Sequence, residues 1–182
     1  MITMSATRPS QLLTLQSFGD ISRFLREGVA DEDSRQLRDS LGALSAQIDE
    51  AVRIRRTSTD TAAIARHVAA LSQCAREHQL FLTGLGSAWH ALYEFGAYQR
   101  ALRELRNAIA HWQQMLERRS SRESTSFDHF ELLAWRTLGE ALLLIDMYEH
   151  HGDAHSELQD SAPPRSRSFL QKIQTWFRQR RS

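Results

Sequence analysis

The spacing of apolar residues constrains this chain most, because it is helical in every long segment. The most regular stripe is Ile64, Val68, Leu71, Ala75, His78, Leu82 and Leu85. Its steps alternate between four and three, the seam along which antiparallel helices pack. Leu15, Phe18, Ile21, Leu25 and Val29 predict an earlier helix from about Pro9 to Val29, with the proline in the first turn, where its missing N–H is tolerated. After a break at Gly28, Asp31 or Asp33 can cap a second helix that runs to about Arg56 on Leu37, Leu41, Leu44, Ile48 and Val52. Tyr98, Ala101, Leu105, Ala108, Trp112 and Met115 mark a helix from Ala97 to about Arg118. Phe130, Ala134, Leu138, Ala141, Ile145 and Tyr148 mark another, capped by Asp128 and reaching about His150. No alternating run is long enough for a strand. The fold class is therefore all-α, a helical bundle or stack of helical hairpins.

The connections follow from the few residues that break helices, 8 Gly and 3 Pro in 182. RRTSTD at 55–60 reads as a turn in which Ser58 or Asp60 caps the third helix. Gly84 and Gly86 weaken that helix, and Trp89 and Leu92 would continue its register if the helix runs on through them. SSRESTS at 120–126 reads as a polar loop, the main internal boundary. Pro163-Pro164 forbids helix and begins a linker.

Charge divides the chain differently. Six of the 23 basic residues, and none of the 22 acidic ones, lie in 161–182, so that segment carries +6 and the rest −5. The expected organisation is a helical domain over 1–160, made of a hairpin bundle at 9–83 and further helices at 79–155, followed by a basic tail at 161–182. A last helix is expected from about Ser168 to Arg180, and within it Phe169, Leu170, Ile173, Trp176 and Phe177 fall within about 120° on a helix wheel. Lys172, Arg178 and Arg181 fall outside that arc. Aromatic residues opposite cations suit three settings: the body of this protein, a partner's groove, or an anionic membrane surface. Nucleic acid is disfavoured, because few aromatics remain for stacking once the apolar face is used.

Gly96-Ala-Tyr98-x-x-Ala101-x-x-x-Leu105-x-x-Ala108 resembles the second helix of a tetratricopeptide repeat, and Trp135-x-x-Leu138-Gly139-x-x-Leu142 is similar to the first. The resemblance covers at most 79–155. It implies a turn at Gly96, an aromatic seat at Tyr98, and close helix approach at Ala101 and Gly139. Residues 119–128 would absorb an insertion relative to the standard repeat, and no proline closes either unit. Such repeats are protein-binding scaffolds, adaptors or chaperones, including cytoplasmic chaperones of bacterial secretion substrates. The resemblance thus implies a non-enzymatic role with another protein as partner.

Chemistry-bearing patterns are sparse. The lone Cys74 is read as part of an apolar stripe and hence as a buried structural thiol. Glu149, His150, His151, Asp153 and His155 cluster at a helix end, where Gly152 interrupts the pair spaced four apart and solvation is the plainer reading. His78 reads as a core histidine with one satisfied hydrogen bond, or as a polar residue that sets register. Residues 61–78 faintly resemble a helix-turn-helix reader, but the stripe runs straight through the place of the turn. No nucleophile motif or phosphate loop stands out, so no catalytic residue, metal or cofactor is expected. The first twenty residues lack a secretory pattern and no 18-residue apolar run occurs, which predicts a cytoplasmic protein, membrane-peripheral if the tail binds lipid.

Overall fold

The computed structural model describes residues 15–27 and 32–154, with the side chains of 33 and 150–154 left aside. Of the described residues, 88% are helical and none forms a strand. The helices are α1 (Phe18–Glu27), α2 (Glu32–Thr57), α3 (Thr61–Thr83), α4 (Ser87–His90), α5 (Tyr93–Glu117) and α6 (Glu123–Ala154). No helix among the described residues is long and apolar enough to cross a membrane.

The stripes become the core almost residue for residue. Leu37, Leu41, Leu44 and Ile48 of α2 are wholly buried, as are Val68, Leu71, Ala75 and Leu82 of α3. Leu85, at the end of the third stripe, is only partly buried, because α3 has already stopped at its cap Gly84. Asp60 is the N-cap of α3, accepting from the Ala62 amide at 2.9 Å. That bond satisfies one of the donors a helix start leaves free. Beyond Gly84 the chain turns through α4, and Trp89 folds inward to stack on Tyr148 of α6 at 3.5 Å between ring centroids.

α2 packs on α3, α3 on α5, α5 on α6, and α6 returns to α2. Four helices therefore close into a ring, up-down-up-down, with short links between successive neighbours. One continuous core runs from Leu15 to Ile145. Among the described residues, three ion pairs cross the closing seam, an exposed one between Arg56 and Glu131 at 2.5 Å and two bidentate forks. Arg38, near the start of α2, forks onto Glu149 near the end of α6, with nitrogen–oxygen distances of 2.8–3.0 Å. Arg55, at the end of α2, forks onto Glu123 at the start of α6, at 2.6–2.7 Å. The two forks sit at opposite ends of the seam and so fix α2 and α6 antiparallel.

α1 lies on the outside of α2 through small residues. Ser22 donates to the Gly42 carbonyl at 3.1 Å, and Ser45 donates to the Phe18 carbonyl at 2.7 Å. A Cβ at Gly42 would stand 3.5 Å from Arg26 Cγ, which is how closely the two helices approach. Phe18 also stacks on Trp135 of α6, with centroids 4.1 Å apart.

Three boundaries differ from the sequence expectation. α1 starts at Phe18, not near Pro9: Leu15, Gln16 and Ser17 lie before it, and the Gln16 and Ser17 amides donate to the Asp20 carboxylate. The polar segment 120–126 is mostly helix: α6 starts at Glu123, not at a cap on Asp128. The Glu123 carboxylate is drawn in by Arg55 and Trp112, and Ser126 and Phe127 are buried, so tertiary contacts override the polar composition. α5 starts at Tyr93 rather than Ala97, which places Gly96 inside its first turn and moves the chain reversal upstream to residues 91–92. The reversal after α5 is made without glycine. Arg119 takes the left-handed conformation at φ 47°, while the Ser120 amide donates to the Met115 carbonyl at 3.0 Å and the Arg119 amide to that of Leu116 at 3.1 Å. That bonding pattern closes many helices, usually around a glycine.

Candidate functional site

Two places are not accounted for by apolar packing: a polar chain inside the ring, and the outer edge shared by α5 and α6.

The inner chain joins three helices. His78 of α3 is 2% exposed, yet both ring nitrogens are bonded, Nδ1 with Ser40 Oγ of α2 and Nε2 with Tyr98 Oη of α5, each at 2.6 Å. Burial pushes the Tyr98 phenol far up, so it stays protonated, and it lowers His78 from its ordinary 6.5 to about 4. The buried Tyr98 hydroxyl keeps its proton and needs an acceptor, which fixes the tautomer in which it donates to Nε2 and Nδ1–H donates to Ser40 Oγ. The histidine has two bonds where one was expected, and it presents no free nitrogen to a ligand. Cys74 is partly buried, and desolvation followed by the nearby Glu77 charge raises its thiol, the opposite of nucleophile activation. Glu123 works against its own burial, which would raise its carboxyl. Hydrogen bonds from Arg55 and from Trp112 Nε1 at 2.7 Å outweigh that, so it titrates below the usual range.

The outer edge is a ladder between antiparallel helices. Glu104 of α5 bonds Arg136 of α6 at 2.8 Å. Seven residues farther along each helix stand Ala97 and Leu143; eleven residues farther stand Tyr93 and Met147. Steps of seven and eleven are two and three turns, so these positions share the edge that the ion pair occupies. Arg100 and Glu140, four residues along, continue the charge alternation one turn below the pair. The ladder is therefore ionic above and apolar below. Tyr93 is 80% exposed, whereas Leu143 and Met147 are half-buried. Leu80 of α3 and Leu132 of α6 are the other large apolar side chains that stand out among the described residues; Leu132 lies one turn before Arg136 on the same edge, beyond the ion pair.

The structure spreads the repeat-like residues over several roles. Tyr98 is buried and bonded to His78 of the preceding long helix. Ala101 is buried at a close crossing, where its carbonyl accepts from Thr137 Oγ1 at 3.2 Å. Leu138 and Gly139 are buried, while Trp135 turns toward α1. Gly96 is helical. The tail residues Phe169, Leu170, Lys172, Ile173, Trp176, Phe177 and Arg178 lie outside the described residues, as do the side chains of His150, His151 and His155. Among the described residues, no group of three His, Cys, Asp or Glu is placed to hold a metal. Sequence reading missed Gly42, Ser22 and Ser45, whose only signal was small residues on facing helices. It also missed Tyr93, whose place on an edge depends on the offset between α5 and α6.

Fold and edge together define a class: a closed four-helix bundle with an added helix and one ladder left open to solvent. Comparisons with protein-family models, curated proteins and solved structures find no match to this chain.

Proposed function

We propose that the protein is a non-enzymatic interaction module, an adaptor or chaperone-like scaffold whose contact surface is the lower α5·α6 edge. The observation that carries this reading is Tyr93, an aromatic side chain left 80% exposed, on the edge whose helical register also carries Ala97, Leu143 and Met147. Aromatic and methionine side chains supply much of the binding energy where a partner helix seats on a shallow apolar groove. The ionic rungs above, Glu104–Arg136 and then Arg100 and Glu140, would orient a charged partner along the groove. The buried polar groups support the same reading, since His78, Tyr98 and Ser40 are committed to one another.

Titrating the intact, isotope-labelled chain with a panel of amphipathic helical peptides tests it. Chemical-shift changes are expected to centre on Tyr93, Ala97, Leu143 and Met147 and to vanish in Tyr93→Asp. Changes centred on α2 or α3, or no binding across the panel, would refute the assignment.

A further inference from the structure

We infer that the lower α5·α6 edge is a docking face for an amphipathic helix with a cationic back, and that the chain carries its own such ligand in 168–178. The inference rests on the reading of that edge as the contact surface and adds the identity of an occupant. Three observations converge on it.

The first is position. α5 begins at Tyr93, and α6 runs toward the same end of the bundle, where Tyr148 stacks on Trp89 just before α5. The last described residue, Ala154, therefore leaves the ring at the end where the apolar rungs lie. The second is reach. Residues 155–167 separate Ala154 from 168–178, and thirteen extended residues span up to about 45 Å. The apolar rungs from Tyr93 to Ala97 extend over only about 6 Å of helix, so the tether does not limit docking. Short tethers also give effective concentrations in the millimolar range, enough for a modest apolar contact.

The third is charge and shape. Residues 161–182 carry +6 and the remainder −5. Glu104 and Glu140 stand on the edge next to the apolar rungs, with Arg136 and Arg100 as the opposing cations. Phe169, Leu170, Ile173, Trp176 and Phe177 would meet Tyr93, Ala97, Leu143 and Met147, leaving Lys172 and Arg178 to the carboxylates. A helix of eleven residues is about 16 Å long, so it would cover the apolar rungs at Tyr93 and Ala97 and extend over the ionic rungs as far as Glu104. Occupation in cis would make the tail a competitor for any partner helix of the same chemistry.

Hydrogen–deuterium exchange on the intact chain decides the matter. Amides of 168–178 are expected to exchange about tenfold or more slowly than in the free peptide. That protection should be independent of protein concentration and lost in both Tyr93→Asp and Phe177→Asp, with α2 and α3 unchanged. A synthetic peptide of residues 165–181 should bind the Phe177→Asp chain and fail to bind the chain that also carries Tyr93→Asp. Free-peptide exchange rates in the intact chain overturn the inference, as does protection that survives Tyr93→Asp. Protection that fades on dilution assigns the face to a second copy, and protection that requires anionic vesicles assigns the tail to lipid; either outcome overturns it too. If the tail proves free while an unrelated amphipathic peptide still binds at Tyr93, this inference falls and the proposed function stands. If nothing binds there, both fall.

Discussion

Arg119 holds a backbone conformation that costs a side-chain-bearing residue about 1–2 kcal/mol, at φ 47° and with the Ser120 and Arg119 amides bonded back to α5. Arg119→Gly should therefore raise stability by up to about 1 kcal/mol, after the entropy glycine adds to the unfolded chain. A urea midpoint equal to or below the parent's would show that the turn is not strained. His78 makes the opposite kind of prediction, one about pH. Its folded pKa, about 4, lies below the ordinary 6.5. A depressed pKa contributes stability that is fully present above 6.5 and is lost as pH falls through the window down to about 4. The loss between pH 7 and 4 should approach about 3 kcal/mol from this group. Protonation turns both ring nitrogens into donors and leaves the buried Tyr98 hydroxyl without an acceptor for its proton. The pH dependence of the melting temperature should flatten over that window in His78→Gln. If the two profiles stay parallel, other groups govern acid unfolding.

At the scale of helices, the apolar stripes were legible because each is a local repeat that needs only the 3.6-residue period. Ile64, Val68, Leu71, Ala75 and Leu82 went from sequence to buried core, and only Leu85, beyond the cap of α3, stayed partly exposed. The start of α6 was not legible, since Glu123 becomes helical for the sake of Arg55, 68 residues away, and of Trp112 across the turn on α5. Gly42 was equally silent: a glycine inside a helix looks like a weakness until Ser22 and Ser45 reveal a crossing. Its surroundings permit a sharp test. An added Cβ would be in ordinary contact with Arg26 and the Ser22 carbonyl, so Gly42→Ala should be neutral or gain up to about 1 kcal/mol of helix propensity. Gly42→Leu should lose about 1–3 kcal/mol by forcing α1 away. Equal stabilities for the two variants would mean that α1 does not pack closely there. At the α5·α6 crossing, Ala101→Leu should likewise cost about 1–3 kcal/mol and weaken the Thr137 bond. An unchanged melting temperature would remove the case for close approach. The Tyr93 edge stayed hidden in the sequence, because a tyrosine just before a helical stripe says nothing about which neighbour it faces.

Across the whole molecule, the seam between α2 and α6 sets a constraint unlike any other contact. Arg38 lies 3% exposed, so removing Glu149 strands a buried cation. Glu149→Gln should cost about 3–5 kcal/mol, and Arg38→Met combined with it should recover much of that. If the single and double variants prove equally stable, the pair is solvated in solution. The same bond joins residues 111 apart in sequence, whereas α2–α3 and α5–α6 are hairpins with short links. Closing long loops is entropically expensive, so the two hairpins can form early and the ring shuts last. Substitutions at Arg38–Glu149 should then speed unfolding and leave the folding rate nearly unchanged, while Leu71 or Leu105 to alanine should slow folding. In its native state, such a ring would be weakest along the line where its first and last long helices meet. Mechanical or thermal stress would open the bundle there, as two intact hairpins hinged at residues 84–92, before either hairpin came apart.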